Sequence, residues 1–260
     1  MNVLDHGYVN LVESWGNDER IIEAARMSTD KGFQGWEKHC SVCGICWTTY
    51  AGDVDGPVWT GCKDRADHKW IEGDTKLLFY LWTHQHHTPF EMAGFTIEVQ
   101  APIMVFREWH RHRTQSYNEM SGRYTTLPDL YYIPSTERLM AGKQSKSNKQ
   151  SSEEGFTEKQ AFDLRADIIY QTEQSRKMYE GLLEKGVSRE LARLVLPVNQ
   201  YSRMRASANL RNWLGFLRLR LDKAAQWEIR EYSKAVGQLV AEHFPRTWSL
   251  FCETSPHLIT

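Results

Sequence analysis

The sequence has no feature of a membrane-spanning, secreted or nucleic-acid-coating protein. No apolar run in its 260 residues approaches the length of a membrane span. Residues 1–16 carry acids where a signal peptide needs bases. Neither charge dominates, because 32 Lys and Arg residues stand against 33 Asp and Glu residues. We therefore expect a cytoplasmic protein that binds neither a membrane nor nucleic acid.

The hydrophobic pattern predicts one domain over residues 1–260, built of helices and a few strands. Asn17 and Ser188 stand where helix N-caps are expected, and Pro102 suits a first helical turn. The predicted helices cover residues 17–28, 74–82, 102–111, a long segment after 156, 188–194, 209–220 and 225–242, and the predicted strands cover 94–101, 124–133 and 199–208. Since these elements do not alternate as βαβ units, we predict an α+β fold with a mixed or antiparallel sheet flanked by helices.

Two polar segments interrupt this pattern. Residues 114–122 are polar and irregular, which predicts a loop. Residues 140–156 have almost no apolar side chains, and for this segment we predict a mobile surface loop.

A third segment, residues 31–73, is rich in Gly, Trp and Cys and keeps no helical period. We interpret it as a small Cys-rich insertion within the domain. Four of the five cysteines lie in it, and in a reducing compartment such a cluster favours a metal over disulfides. The predicted ligands of a structural zinc ion are Cys40, Cys43, Cys62 and His68, with His39 and Cys46 as further candidates. The alternative is an insertion of buried thiols and Trp side chains without metal.

The distribution of Arg against Lys is the most informative anomaly. Residues 107–123 hold four Arg and no Lys, and residues 201–220 hold five Arg with no Lys, Asp or Glu. Arg presents a planar fork that binds phosphate or carboxylate through two hydrogen bonds and keeps its charge when partly buried. The alternative is salt bridging to acids elsewhere in the chain. Two Arg-only clusters in a nearly neutral protein favour small anionic ligands.

The first cluster reads Arg111-His112-Arg113, followed after seven residues by Ser121-Gly122-Arg123, with Asn118 and Glu119 between them. Such a set can bind a phosphate and also the polar edge of a planar heterocycle. We expect the neighbouring arginines to disfavour the charged form of His112. Of two roles for His112, we therefore rank a contact with a cofactor first and a proton shuttle second.

The spacing Arg111-His112-Arg113-x7-Ser121 resembles the signature of the flavin-dependent thymidylate synthases. The resemblance extends along most of the chain outside residues 31–73 and 140–156. It includes residues 24–28, 87–91, 109–124, 133–135, 192–197, 209–220 and 225–229.

The resemblance implies an enzyme that methylates dUMP to dTMP. It implies methylenetetrahydrofolate as the carbon donor, NADPH as a reductant acting through FAD, and a homotetramer whose active sites are built from several subunits. The dUMP contacts it implies are Glu108, Arg111, Glu119, Ser121, Gly122, Arg123, Arg193 and Arg220. The FAD contacts it implies are His86, Thr88, Arg111, His112, Arg113, Glu119, Asn209 and Arg211, with His86 and Thr88 reaching from a neighbouring subunit and Ser28 bordering the flavin.

The resemblance also assigns the catalytic role to Arg220, whose cation would favour the N3-ionised form of the uracil. A guanidinium suits this role because it stays charged. Ser121 is expected to contact dUMP rather than to act as a nucleophile, since no base stands at a spacing that the sequence can certify.

The chain departs from the family pattern at two positions. Glu108 stands where the family usually has Gln, and we expect its carboxylate to contact a donor edge or to pair with an arginine. Gly215 stands where an Asn or His often contacts the flavin. Two other functions compete with this interpretation: a nucleic-acid-binding protein with Arg clusters and a zinc knuckle, and a flavin reductase of another kind.

Overall fold

A five-stranded antiparallel sheet forms the centre of the protein, whose computed structural model describes residues 1–41, 70–144, 152–153 and 155–259. Its strands are β1 (Asn2–Val3), β2 (Gly7–Trp15), β5 (Gly94–Pro102), β6 (Ser116–Glu119) and β9 (Tyr201–Asn209), in the spatial order β1-β2-β5-β9-β6. Two short pairs lie outside this sheet, β3 (His39–Cys40) with β4 (Trp70–Ile71) and β7 (Lys143–Gln144) with β8 (Ser152–Glu153). The α+β prediction with an antiparallel sheet is confirmed.

Helices cover the sheet and extend beyond it. They are α1 (Asp18–Arg26), α2 (Thr75–Thr83), α3 (Ile103–Trp109), α4 (Thr136–Met140), α5 (Glu158–Glu184), α6 (Arg189–Ala192), α7 (Leu210–Arg220), α8 (Trp227–His243) and α9 (Pro245–Thr254). The Asn17 side chain accepts from the Arg20 amide at 3.0 Å as the N-cap of α1. None of the described helices has the length and apolar character needed to cross a membrane.

The core lies between the sheet and helices α7 and α8. Along β9, Met204, Ala206 and Ala208 are buried while Arg203 and Arg205 are exposed, so that one face of the strand packs and the other carries charge. On α7, the Trp213 ring stacks on Phe95 of β5 with 4.7 Å between ring centroids. On α8, the buried Tyr232 hydroxyl donates to the Gln100 carbonyl of β5 at 2.8 Å. The arginines of β9 are therefore held on a rigid strand.

Three predicted elements need correction. The strand β6 lies inside the segment 114–122, for which a loop was expected, while the segment 124–133 contributes only an isolated bridge from Tyr131 to Gln200. β6 is polar because it is an edge strand whose pairing with β9 comes from the backbone. The third element is α2: Asp74 stands at its N-cap position as expected, but its side chain makes no capping hydrogen bond. Its buried carboxylate instead accepts from Arg26 and from the Gln34 amide.

The two ends of the Cys-rich segment meet in the β3–β4 pair, where Cys40 lies opposite Trp70. Cys43, Cys62 and His68 lie outside the described residues, so the zinc site stays a prediction. Among the residues that are described, no three His, Cys, Asp or Glu side chains come together as a metal site.

The polar segment 140–156 is described only in part. Its ends pair as β7 and β8, with Lys143 opposite Glu153 and Gln144 opposite Ser152. The mobility expected of this segment stays a prediction.

Candidate active site

The fold brings the two arginine-rich stretches together at the β6 edge of the sheet. Asn118 of β6 lies opposite Arg205 of β9, and Glu119 lies opposite Met204. Beyond the end of β6, the Met120 amide donates to the Arg203 carbonyl at 2.8 Å. The residues that follow Met120 are therefore fixed in position by the second stretch.

A cavity of about 560 Å³ opens beside this edge, and we call it the Ser121 pocket. Four of the residues expected to bind dUMP line it, namely Glu119, Ser121, Gly122 and Arg193. Arg107, His110, Met120 and Ser202 also line it, together with the apolar side chains of Ile103, Phe106, Leu127, Leu194, Leu196, Pro197 and Val198. Its volume lies within the range that small-molecule ligands occupy.

The Ser121 pocket carries positive charge that its own residues do not neutralise. Arg107 and Arg193 form no ion pair with any residue that the structure describes, and Glu119 is the one acid among the lining residues. The Ser121 hydroxyl accepts from the Arg123 amide at 3.3 Å, a local turn interaction that supplies no general base. The pocket is suited to bind an anion, and among the described residues no base is hydrogen-bonded to the Ser121 hydroxyl as a serine nucleophile requires.

Arg220, the expected catalytic residue, lies in a second group of residues that does not line this pocket. Its Nε donates to His112 Nε2, its Nη1 to the Glu108 carboxylate and its Nη2 to the Glu108 carbonyl, each at 2.8 Å. The Arg220 side chain is 14% exposed and that of Glu108 is 42% exposed. We call these three residues the Arg220 cluster. Glu108 was expected to contact a donor edge or to pair with an arginine, and in the structure it pairs with Arg220.

His112 is kept neutral by its surroundings. Burial, followed by the charge of Arg220, lowers the pKa of His112 from 6.5 to about 4. Because Nε2 accepts from Arg220, the proton of the neutral ring is on Nδ1. The expected direction of the pKa shift is found, but its arginine is Arg220 rather than the sequence neighbours Arg111 and Arg113.

The other arginines of the first stretch are on the surface. Arg111 and Arg113 are exposed, and neither forms an ion pair within the described part of the chain. Arg123 pairs with Glu190 of α6 at 3.3 Å, with both side chains more than half exposed. Such exposed guanidinium groups are free to turn toward an anionic ligand.

Two of the expected FAD contacts, His86 and Thr88, line a different cavity of about 510 Å³. The residue before His86, Gln85, has a positive φ of 57°, which closes the turn between α2 and the following 3-10 helix at Thr88–Met92. The ring of His86 meets the edge of Tyr80 at 5.5 Å between centroids. We call this second cavity the His86 cleft.

Asn209 and Arg211 lie at the start of α7. The Asn209 side chain accepts from the Asn212 amide at 3.0 Å as the N-cap of the helix. Arg211 forms an ion pair with Glu91 of the 3-10 helix that borders the His86 cleft. Burial and the charges of Arg211 and Arg218 lower the pKa of the neighbouring His87.

Arg107, His110 and Ser202 line the Ser121 pocket but were not predicted from the sequence. Ile103, Arg107 and His110 recur at a spacing of four and three residues on α3, which places them on one helix face. This spacing could have identified Arg107 and His110. Ser202 carried no such signal, because its position depends on how β9 meets α3.

Comparisons with known proteins show the family to which the chain belongs. The family model described as thymidylate synthase complementing protein matches residues 10–246. A flavin-dependent thymidylate synthase of Thermus thermophilus is 38% identical over 251 residues, which cover 96% of this chain and 77% of that protein. The enzyme of the same name from Thermosipho africanus is 36% identical over 249 residues, covering 96% and 92% of the two chains. A UMP/dUMP methylase, PolB from Streptomyces cacaoi, solved with 5-Br dUMP, superposes with a TM-score of 0.73 at 26% identity over 97% of both chains.

Proposed function

Since the chain belongs to the thymidylate synthase complementing protein family, we propose that it is a cytoplasmic flavin-dependent thymidylate synthase. The proposed reaction methylates dUMP to dTMP. Methylenetetrahydrofolate donates the carbon, and NADPH supplies the reducing equivalents through FAD.

The Ser121 pocket is the observation that carries this proposal. Its two arginines, Arg107 and Arg193, have no ion pair within the described part of the chain and suit the phosphate of a mononucleotide. Ser121 and Glu119 add a hydroxyl and a carboxylate, which can bind the hydroxyl and N–H groups of a nucleoside. The apolar side chains that complete the lining suit the sugar and the base.

Arg220 would act on the uracil ring rather than on the phosphate. A guanidinium has five N–H bonds, of which Arg220 uses three within its cluster, leaving one on each Nη nitrogen. Those N–H groups would stabilise negative charge on the N3–C=O edge, and C5 becomes more nucleophilic as that charge develops. Glu108 holds the Arg220 guanidinium in place but also offsets its positive charge. How strongly Arg220 stabilises negative charge on the uracil therefore depends on both effects of Glu108.

The donors of the expected FAD contacts fit a flavin dinucleotide. Arg111, Arg113 and Arg211 are cations suited to the pyrophosphate, while His86, Thr88 and Asn209 offer further polar groups. When bound, FAD carries reducing equivalents from NADPH to the transferred carbon. The protein supplies the charge that holds the dinucleotide.

We propose a homotetramer in which two chains complete each site. Within the described part of one chain, none of the three residues of the Arg220 cluster lines the Ser121 pocket. Arg107 and Glu108 are neighbours on α3 and project about 100° apart, toward different sides of the helix. A second subunit that presents its Arg220 cluster to the Ser121 pocket would unite the eight proposed dUMP contacts.

The zinc site remains part of the proposal as a structural element. Cys40 lies on β3 at the base of the Cys-rich segment, and Cys43, Cys62 and His68 would complete the ligand set. Metal analysis after extensive dialysis should find about one zinc per chain, which Cys40→Ser should abolish. A metal-free wild-type protein that stays folded would rule the site out.

The test of the function is tritium release from [5-³H]dUMP by the purified, FAD-loaded protein. We expect release that requires both NADPH and methylenetetrahydrofolate. NADPH oxidation without tritium release would instead identify a flavin reductase of another kind. A colourless protein that takes up no FAD but binds single-stranded nucleic acid would support the competing nucleic-acid function.

A further inference from the structure

Ser202 is the polar exception in an apolar row. It lies on β9 on the same face as Met204, Ala206 and Ala208, and it is fully buried. Its hydroxyl has no hydrogen-bond partner among the residues that the structure describes. Buried hydroxyl groups are nearly always paired, since an unpaired one loses its bonds to water without replacement. The chain therefore bears a cost at this position that an alanine would avoid.

Ser202 also lines the Ser121 pocket, to which α3 contributes lining residues. Two backbone hydrogen bonds tie the first turn of α3 to the chain just before β9: Ile103 N donates to Gln200 O, and Met104 N to Val198 O, both at 2.9 Å. One turn further along α3, Arg107 lines the same pocket with its charge unpaired among the described residues. A hydroxyl without a hydrogen-bond partner and a guanidinium without an ion pair, both judged among the described residues, thus border one cavity.

From this coincidence we infer that Ser202 and Arg107 are direct ligand contacts that bind the phosphate of dUMP. This inference rests on the proposed function and extends it by two residues. Rotation about χ1 turns the Ser202 hydroxyl between staggered positions, so that it can donate to a phosphate oxygen that enters the pocket. Arg107 supplies a charge-assisted hydrogen bond to the same group.

The test compares dUMP with deoxyuridine, which lacks the phosphate, by calorimetric titration of the full-length, FAD-loaded protein. Ser202→Ala should weaken dUMP binding roughly three- to tenfold, and Arg107→Gln roughly ten- to a hundredfold. Neither change should alter deoxyuridine binding, because that ligand brings no group to this subsite.

Stability separates this role from a structural one. Ser202→Ala removes a hydroxyl without a described partner, so the melting temperature of the ligand-free protein should hold or rise while its increase on adding dUMP shrinks. Ser233→Ala is the matched control: this serine is equally buried, but its Oγ donates to the Ile229 carbonyl at 2.9 Å. That variant should lower the melting temperature and leave dUMP affinity unchanged. Arg165→Gln, on α5 away from the pocket lining, controls for the loss of one positive charge.

Three outcomes would overturn the inference. Wild-type affinity for dUMP in both Ser202→Ala and Arg107→Gln would remove these residues from the site while leaving the proposed function intact. Equal losses for dUMP and deoxyuridine would show that they do not contact the phosphate. A wild-type protein that binds neither ligand would overturn the proposed function together with this inference.

Discussion

The Ser121 pocket and the Arg220 cluster both depend on arginine, but arginine has a different role in each. In the pocket, Arg107 and Arg193 have no acidic partner among the described residues, so their charge is available to a ligand. In the cluster, Arg220 is largely buried and already bonded to Glu108 and His112. The first arrangement favours affinity for an anion, and the second favours a fixed direction of the guanidinium. The two regions should therefore respond differently to substitution.

Arg220→Lys should have the largest effect. Lysine keeps one charge but cannot reproduce three hydrogen bonds in the plane of a guanidinium. We expect dTMP formation to fall by about 10²- to 10³-fold, while NADPH oxidation by the bound flavin persists. Steady-state kinetics of both half-reactions, with a direct dUMP titration, checks this. A loss of dUMP affinity as large as the loss of turnover would reduce Arg220 to an anchor.

Arg193→Gln should produce the complementary pattern. Because Arg193 has no described acidic partner, its removal costs ligand binding and little else. Affinity for dUMP should fall roughly ten- to a hundredfold, with kcat at saturating dUMP changed less than affinity. Initial rates over a range of dUMP concentrations separate the two constants. A fall in kcat at unchanged KM would contradict the division between pocket and cluster.

Glu108→Gln should destabilise the protein more than the loss of an exposed ion pair does. Glutamine can still accept from Arg220 Nη1, but the partly buried guanidinium loses its counter-charge. We expect the free energy of unfolding to fall by about 1 kcal/mol. Glu190→Gln is the control, since Glu190 pairs with Arg123 where both side chains are exposed, and its cost should be near zero. Equal costs in urea unfolding would remove the distinction between the two pairs.

A further prediction concerns the pH dependence of stability. The pKa of His112 is about 4 in the folded protein and about 6.5 in the unfolded chain, so the unfolded state binds more protons between these values. Stability from this group is therefore fully present above pH 6.5 and is lost as the pH falls toward 4. His112→Gln, whose amide oxygen can still accept from Arg220, should weaken this decline. Urea titrations from pH 4 to 7 with identical slopes for both proteins would refute the shift.

Local sequence patterns predicted helices and strands well where the pattern within a single element is enough to identify it. The cap at Asn17, the alternation along residues 94–101 and the helical spacing of α8 each match what the structure contains. β6 was missed because an edge strand needs no apolar pattern, only a neighbour to pair with. β2 and α9 had no prediction, although β2 lies next to β5 and pairs along most of its length.

The candidate site shows the same limit. The resemblance identified residues by their position in a motif, but it could not say that Arg220 reaches Glu108 and His112 from 108 or more positions along the chain. Nor could it indicate that Ser202 and Arg107 line one pocket, since strand and helix meet only in the folded chain. The charge interactions of the site come from contacts between residues far apart in the sequence, and a single sequence does not show which of these contacts form.

The proposed homotetramer pairs the Ser121 pocket of one subunit with the Arg220 cluster of another. Arg193→Gln and Arg220→Lys, each nearly inactive alone at low dUMP concentration, should be co-expressed and purified as mixed oligomers. Random pairing leaves about one site in four with both residues intact, so roughly a quarter of wild-type dTMP formation should return. If both residues served the same site from one chain, every site would carry a lesion, and no recovery above the single variants would contradict the account.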